Sequence, residues 1–215
     1  MDLSTGLWRR PGVNFIYTIL NKRSVRYAVM EATNSRAIAF NEWAKARDWP
    51  AFCDPELDFE SPALIDLLAI WREQAGCDAM PHRNKMTARV LKSHLRHISI
   101  IERVAEDAPR YRVRLLGTRL AQVLGEMLGK YLEDAITPEV VPHWQARLDL
   151  TLAEGCPMRF VSRVDMKKLH FLRSETFWAP LANDREPCSI VLMAAILTFS
   201  TTMTAEDATA LTNFA

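Results

Sequence analysis

Paired cysteines, long apolar runs and the common catalytic signatures are all missing from this chain of 215 residues. Its four cysteines, Cys53, Cys77, Cys156 and Cys188, are scattered, with no Cys-x-x-Cys pair and no histidine at zinc-ligand spacing. That argues against a disulfide scaffold and for reduced, mostly buried thiols. No stretch reaches the about 18–20 apolar residues of a membrane span. Arg9-Arg10 precedes the apolar run from Val13 to Leu20 in the manner of a twin-arginine leader. However, Pro11 and Gly12 follow the pair, Asn21-Lys22-Arg23 closes the run, and no small-residue cleavage pattern is present. The expected location is the cytoplasm. There is no Gly-x-Ser-x-Gly elbow, no metalloprotease motif, no internal repeat and no low-complexity tract. Gly125-x-x-x-Gly129-Lys130 is one residue too short between its glycines for a phosphate loop, and Tyr131 stands where that loop needs a hydroxyl, so these read as turn glycines. The chain is expected not to be an enzyme, with neither catalytic nor metal-binding residues.

What is present is an ordinary core-forming composition: 49% of residues are hydrophobic and 25% charged, and the formal net charge of +1 names no partner. Residues 1–55 read as an N-terminal helical extension. Lys22 to Trp49 lacks proline and glycine, and Val25, Val29, Ala32 and Arg36 share a helical face that Ala39, Trp43 and Ala46 continue. Pro50, Asp54 and Pro55 then break the chain. The exposed-looking aromatics Tyr27, Phe40 and Trp43 suggest a surface covered in the native state, hence a homodimer through this segment.

Residues 56–200 read as one domain and 201–215 as a tail. Ser61-Pro62 opens a helix with the stripe Leu64, Leu67, Leu68, Trp71, which Gly76 ends. Five lysines and arginines and no acids lie between Pro81 and Ile101, and a helix over Thr87–Leu95 would put Arg89, Lys92 and Arg96 on one face. Strands follow at His97–Arg103 and Tyr111–Leu116, the latter alternating apolar and arginine residues. A short helix runs from Thr118 to Leu124, and a longer one opens at Thr137-Pro138 and closes at Gly155 with the stripe Val140, Trp144, Leu148, Leu152. Three strands end the domain: Met158–Met166, Phe171–Leu181 and Ile190–Phe199. The last has no polar face and suits the middle of a sheet.

The order helix, two strands, short helices, longer helix, three strands resembles a PAS domain. The residues are similar to a set of PAS-like proteins common in alphaproteobacteria, through Ile70-Trp71, Pro81-His82-Arg83, the Arg114-Leu115-Leu116-Gly117-Thr118 strand end, Gly125 to Leu132, and Pro180-Leu181 before Asn183-Asp184. In that family Gly117 would serve backbone geometry and Thr118 would cap the next helix. The resemblance implies an α+β fold: a five-stranded antiparallel sheet with helices over one face, preceded here by the helical extension. It implies a stand-alone sensory or docking module that signals through a partner chain. The space between sheet and helices would be lined by Leu116, Leu120, Leu124, Trp144, Phe160, Trp178 and Met193, with Arg114 and Thr118 at its mouth. It would either hold a small apolar ligand or be filled by these side chains.

The resemblance also raises cofactors. Haem could be carried by a histidine on the longer helix, here His143, but a lone histidine is more often structural. A flavin photosensor needs a Gly-x-Asn-Cys-Arg-Phe-like motif, and no cysteine here has such neighbours. The expectation is against both, and no other cofactor is named. Two alternatives remain: a small enzyme using the cavity, or a nucleic-acid binder through the basic 83–96 run, which could equally meet an acidic partner.

Overall fold

The computed structural model describes residues 35–104, 110–164, 172–184 and 188–199. Its elements are α1 (35–46), β1 (Ala51–Asp54), α2 (Pro62–Ala75), a 3-10 turn (Leu95–His97), β2 (Ile98–Arg103), β3 (Tyr111–Leu116), α3 (Thr118–Leu124), α4 (Leu132–Ala135), α5 (Val141–Glu154), β4 (Met158–Arg163), β5 (Leu172–Leu181) and β6 (Ile190–Phe199). The strands form one sheet in the order β1-β4-β5-β6-β2-β3, antiparallel at every junction. The all-apolar β6 lies between β5 and β2, with Val191 to Ala195 buried. A strand without a polar face has to be covered on both sides, and this one is.

Period-two alternation divides the core into two layers. Trp178 on β5, Met193 and Ala195 on β6, Ile101, Val113 and Phe160 face α3, α5 and α1. Phe177, Ala179 and Leu181, Leu192 and Ala194, Ile98 and Ile100 face the stripe Leu64, Leu67, Leu68, Trp71 of α2. Helices α3 to α5 thus lie over one face in the expected α+β arrangement, while α2 closes the opposite one.

All five expected strands are present, and a sixth is added by Ala51–Asp54, which pairs with β4 from Ala51 opposite Ser162 to Asp54 opposite Arg159. Its outer edge is blunted by a side chain. The Cys53 N–H donates to Asn41 Oδ1 (2.7 Å), and Asn41 Nδ2 donates to the Cys53 carbonyl (2.9 Å), so an amide on α1 stands in for the next strand. This contact also sets the rotation of α1. The buried residues are Ala37, Phe40 and Ala44, one position away from the expected Ala39, Trp43, Ala46 face. Phe40 is core rather than exposed, its ring 5.3 Å from that of Phe160. Tyr27, Val25, Val29 and Ala32 lie outside the described residues.

Two further expectations are corrected. Residues 88–94 form successive turns rather than a helix, with Leu91 and His94 buried and His94 Nε2 lying 2.8 Å from Asp66 Oδ2 of α2. The longer helix begins at Val141, preceded by a turn in which the Val140 and Val141 N–H groups both donate to the Thr137 carbonyl. Among the described residues no helix is long and apolar enough to cross a membrane.

Candidate functional site

The space between the sheet and helices α3 and α5 starts from four large side chains. Trp178 and Met193 stand on adjacent central strands, with Trp178 opposite Met193 in register. Trp144 descends from α5 to put its ring 5.6 Å from Trp178, and Phe160 packs against Trp178 at 5.9 Å, both edge to face. With Leu120 and Leu124 from α3 they leave a cavity of about 60 Å³. A bulk water occupies roughly 30 Å³, whereas small-molecule sites begin at roughly 300 Å³.

Five of the residues expected to line this space do so: Leu120, Leu124, Trp144, Trp178 and Met193. Phe160 is fully buried beside it, between Phe40 and Trp178. Leu116 and Thr118 lie instead in a separate open groove of about 520 Å³ that also contains Lys92 and Arg96. Arg114 is exposed on β3 and ion-paired with Glu102 on β2, so strand alternation turns it to solvent rather than to a cavity mouth.

The cavity wall also has a polar strip. Ser162, Ser174 and Thr176 come from the strands, His143 and Arg147 from α5. Ser174 and Thr176 share the strand face of Trp178, and Arg147 is one turn after His143, so both sets follow from periodicity once the inward face is known. Most of the strip is satisfied internally. Ser162 Oγ and Ser174 Oγ are 2.8 Å apart, Thr176 donates to the Phe160 carbonyl (3.1 Å), and Trp178 Nε1 donates to Thr176 Oγ1 (2.8 Å). The Arg147 guanidinium lies 5.7 Å from the Phe160 ring centroid. His143, the residue considered for haem, is 8% exposed and packs against Trp49, its ring centroid 4.0 Å away and tilted by 45°. Burial, and then the Arg147 charge, push its imidazole down to about 4.

On the other face a buried ionic cluster holds the entry to α2. Arg159 of β4, 7% exposed, donates from Nε to Glu175 (2.7 Å), from Nη1 to Asp54 (2.9 Å) and from Nη2 to Glu60 (3.3 Å). The Glu175 carboxylate in turn accepts the N–H groups of Glu60 and Ser61, both at 2.8 Å. Ser61 sits at the expected N-cap position without a capping bond from its own side chain, and the β5 carboxylate instead holds the N–H groups of Glu60 and Ser61, placing a negative charge at the helix N-terminus. Single-residue reading missed this cluster, since its members lie as much as 121 positions apart from Asp54 to Glu175.

The short sequence elements meet at two places. Trp71 Nε1 donates to the Pro180 carbonyl (3.1 Å), Arg83 N–H to the Ala182 carbonyl (2.7 Å), and Ala182 N–H to the Pro81 carbonyl (3.0 Å), joining three separated motifs at one corner. At the second, a Cβ on Gly117 would fall 2.3 Å from the Leu95 carbonyl oxygen and 2.6 Å from the Arg96 carbonyl group. Its φ of −68° is open to any residue, so this glycine serves close backbone approach rather than backbone geometry. Thr118, exposed, makes no capping hydrogen bond.

Residues 59–194 match the family described as PAS domain. No curated protein matches the chain. Among solved structures it is similar to one titled "Structure of an RNA-binding Light-Oxygen-Voltage Receptor", with 13% identity and a TM-score of 0.36. That match covers 84% of this chain and 65% of the other, so this chain spans less than two thirds of that protein. The order of strands and helices, the convergence of the motif residues and a family match over more than half of the sequence lead to one assignment: the chain belongs to the PAS domain family.

Proposed function

We propose that this chain is a cytoplasmic PAS signalling module that acts by docking to a partner protein, its inner cavity serving as packed core. The observation that carries the reading is the cavity of about 60 Å³, filled by Trp144, Trp178 and Met193 and too small for an organic ligand without repacking. The chain is not an enzyme in this reading: the hydroxyls of Ser162 and Ser174 bond each other, and that of Thr176 donates to the Phe160 carbonyl and accepts from Trp178 Nε1, so all three are engaged in holding the sheet face. Native mass spectrometry of the purified full chain tests it. The expected masses are whole multiples of the bare polypeptide's, and a stoichiometric small molecule, haem or flavin included, would overturn it.

The same reading includes a homodimer. Because α2 covers the outer sheet face, self-association falls to the apolar residues exposed near β1, namely Ile38 (53%), Trp43 (38%) and Phe52 (54%). Sedimentation should show a dimer that Phe52→Glu weakens. A monomer at tens of micromolar, about the range of a weak specific interface, removes this part.

A further inference from the structure

The basic run that the cavity leaves unused forms one wall of the second groove. Lys92 and Arg96 project from the turns before β2, and Leu95, Leu115 and Leu116 supply an aliphatic floor between them and the start of α3. Arg119, exposed on the first turn of α3, adds a third cation. Among the described residues Lys92, Arg96 and Arg119 have no carboxylate within ion-pair distance, whereas the nearby Arg114 is paired with Glu102. The positive field is felt inside the wall: His97 is pushed below its ordinary range by partial burial, then by Arg96 and Arg119. The groove is also rigid, since the Leu95–Arg96 backbone lies directly against Gly117 and the Gly117 N–H donates to the Ile98 carbonyl (2.8 Å).

We propose that this groove, between the Lys92–Arg96 turns and the Leu115–Arg119 segment, docks an acidic segment of a partner protein that carries an apolar anchor residue. The inference rests on the docking reading above and names the chemistry of its partner. Lys92 and Arg96 on the wall, with Arg119 next in the chain after Thr118, attract and orient acidic side chains, giving electrostatic complementarity. The leucine floor gives a desolvated seat for an aliphatic side chain. A nucleic acid fits less well, because the floor offers no aromatic ring on which a base could stack.

The test uses fluorescence anisotropy with the full chain and a labelled 12-residue peptide of glutamates around a central leucine. The same peptide with lysine for glutamate and a mixed-sequence single-stranded RNA of equal length serve as comparisons. The acidic peptide should bind, and affinity should fall by about tenfold in Lys92→Glu/Arg96→Glu, with a weaker dependence on salt. Leu116→Ser should also weaken binding while leaving the salt dependence as in the wild type. Urea unfolding confirms that each variant remains folded. Equal binding by wild type and the charge-reversed variant, no binding of the acidic peptide, or tighter binding of the RNA would each overturn the assignment. The two readings fail separately: a stoichiometric cavity ligand removes the docking reading whatever the peptide does, and an inert groove leaves the packed cavity and the dimer standing.

Discussion

Replacing Arg159 by methionine tests the ionic cluster under α2 in isolation from the apolar core. The substitution keeps most of the side-chain volume but removes the cation that faces Asp54 and Glu175, whose side chains are only 11% and 10% exposed. Removing one partner of a buried pair costs about 3–5 kcal/mol, because the remaining charge is left uncompensated. Some compensation survives. Glu175 keeps the N–H groups of Glu60 and Ser61, and Asp54 keeps those of Glu56 and Asp58, at 2.8 Å and 3.0 Å respectively. The lower end, about 3 kcal/mol, is therefore expected. For a chain of this size that is a fall in Tm of about 6–12 °C. Urea unfolding followed by tryptophan fluorescence measures it. The double variant Arg159→Met/Glu175→Gln should recover part of the loss, since it removes one of the two stranded charges, and the cycle gives the coupling. A single variant within about 0.5 kcal/mol of wild type, the range of ordinary surface changes, would refute the claim that the cluster holds α2.

Three further outcomes follow from particular contacts. Gly117→Ala forces a Cβ into the Leu95–Arg96 backbone and should destabilise by about 2 kcal/mol or more in urea unfolding, since backbone yields less readily than a side chain. His143, held near 4 in the folded chain against about 6.5 unfolded, binds fewer protons in the fold, so its contribution to stability rises with pH from about 4 to 6.5 and is lost on acidification. That slope should flatten in His143→Leu when stability is measured across the window, and an unchanged slope would exclude His143 as its source. Cys53, fully buried and pushed up to about 12 by burial and then by Asp54, should not react with a thiol reagent at pH 8 in the folded protein, while the exposed Cys77 reacts at once; labelling of Cys53 before unfolding would contradict its placement on β1.

Elements whose signal is local were legible along the chain. β3, α3 and β6 fall on Tyr111–Leu116, Thr118–Leu124 and Ile190–Phe199, as alternation, glycine stops and an unbroken apolar run require. The order of those elements and the short motifs between them also carried the PAS resemblance. Features that depend on partners distant in the chain emerge only on folding. Periodicity placed Ala39, Trp43 and Ala46 on the inner face of α1, and the contacts with Phe160 and with the Cys53 backbone, which Asn41 engages, go with burial of the Ala37–Phe40–Ala44 side instead. Residues 88–94 form turns instead of the expected helix, and His94 among them packs inward against Asp66 on α2, a partner 28 positions away. Whether the cavity was open or filled could not be read from a list of large side chains, because volume depends on how Trp144, Trp178 and Phe160 interlock across three elements. Arg159, Asp54 and Glu175 carry no pattern along the chain at all: each is an ordinary charged residue until the sheet register sets β4 between β1 and β5 and takes all three out of water together.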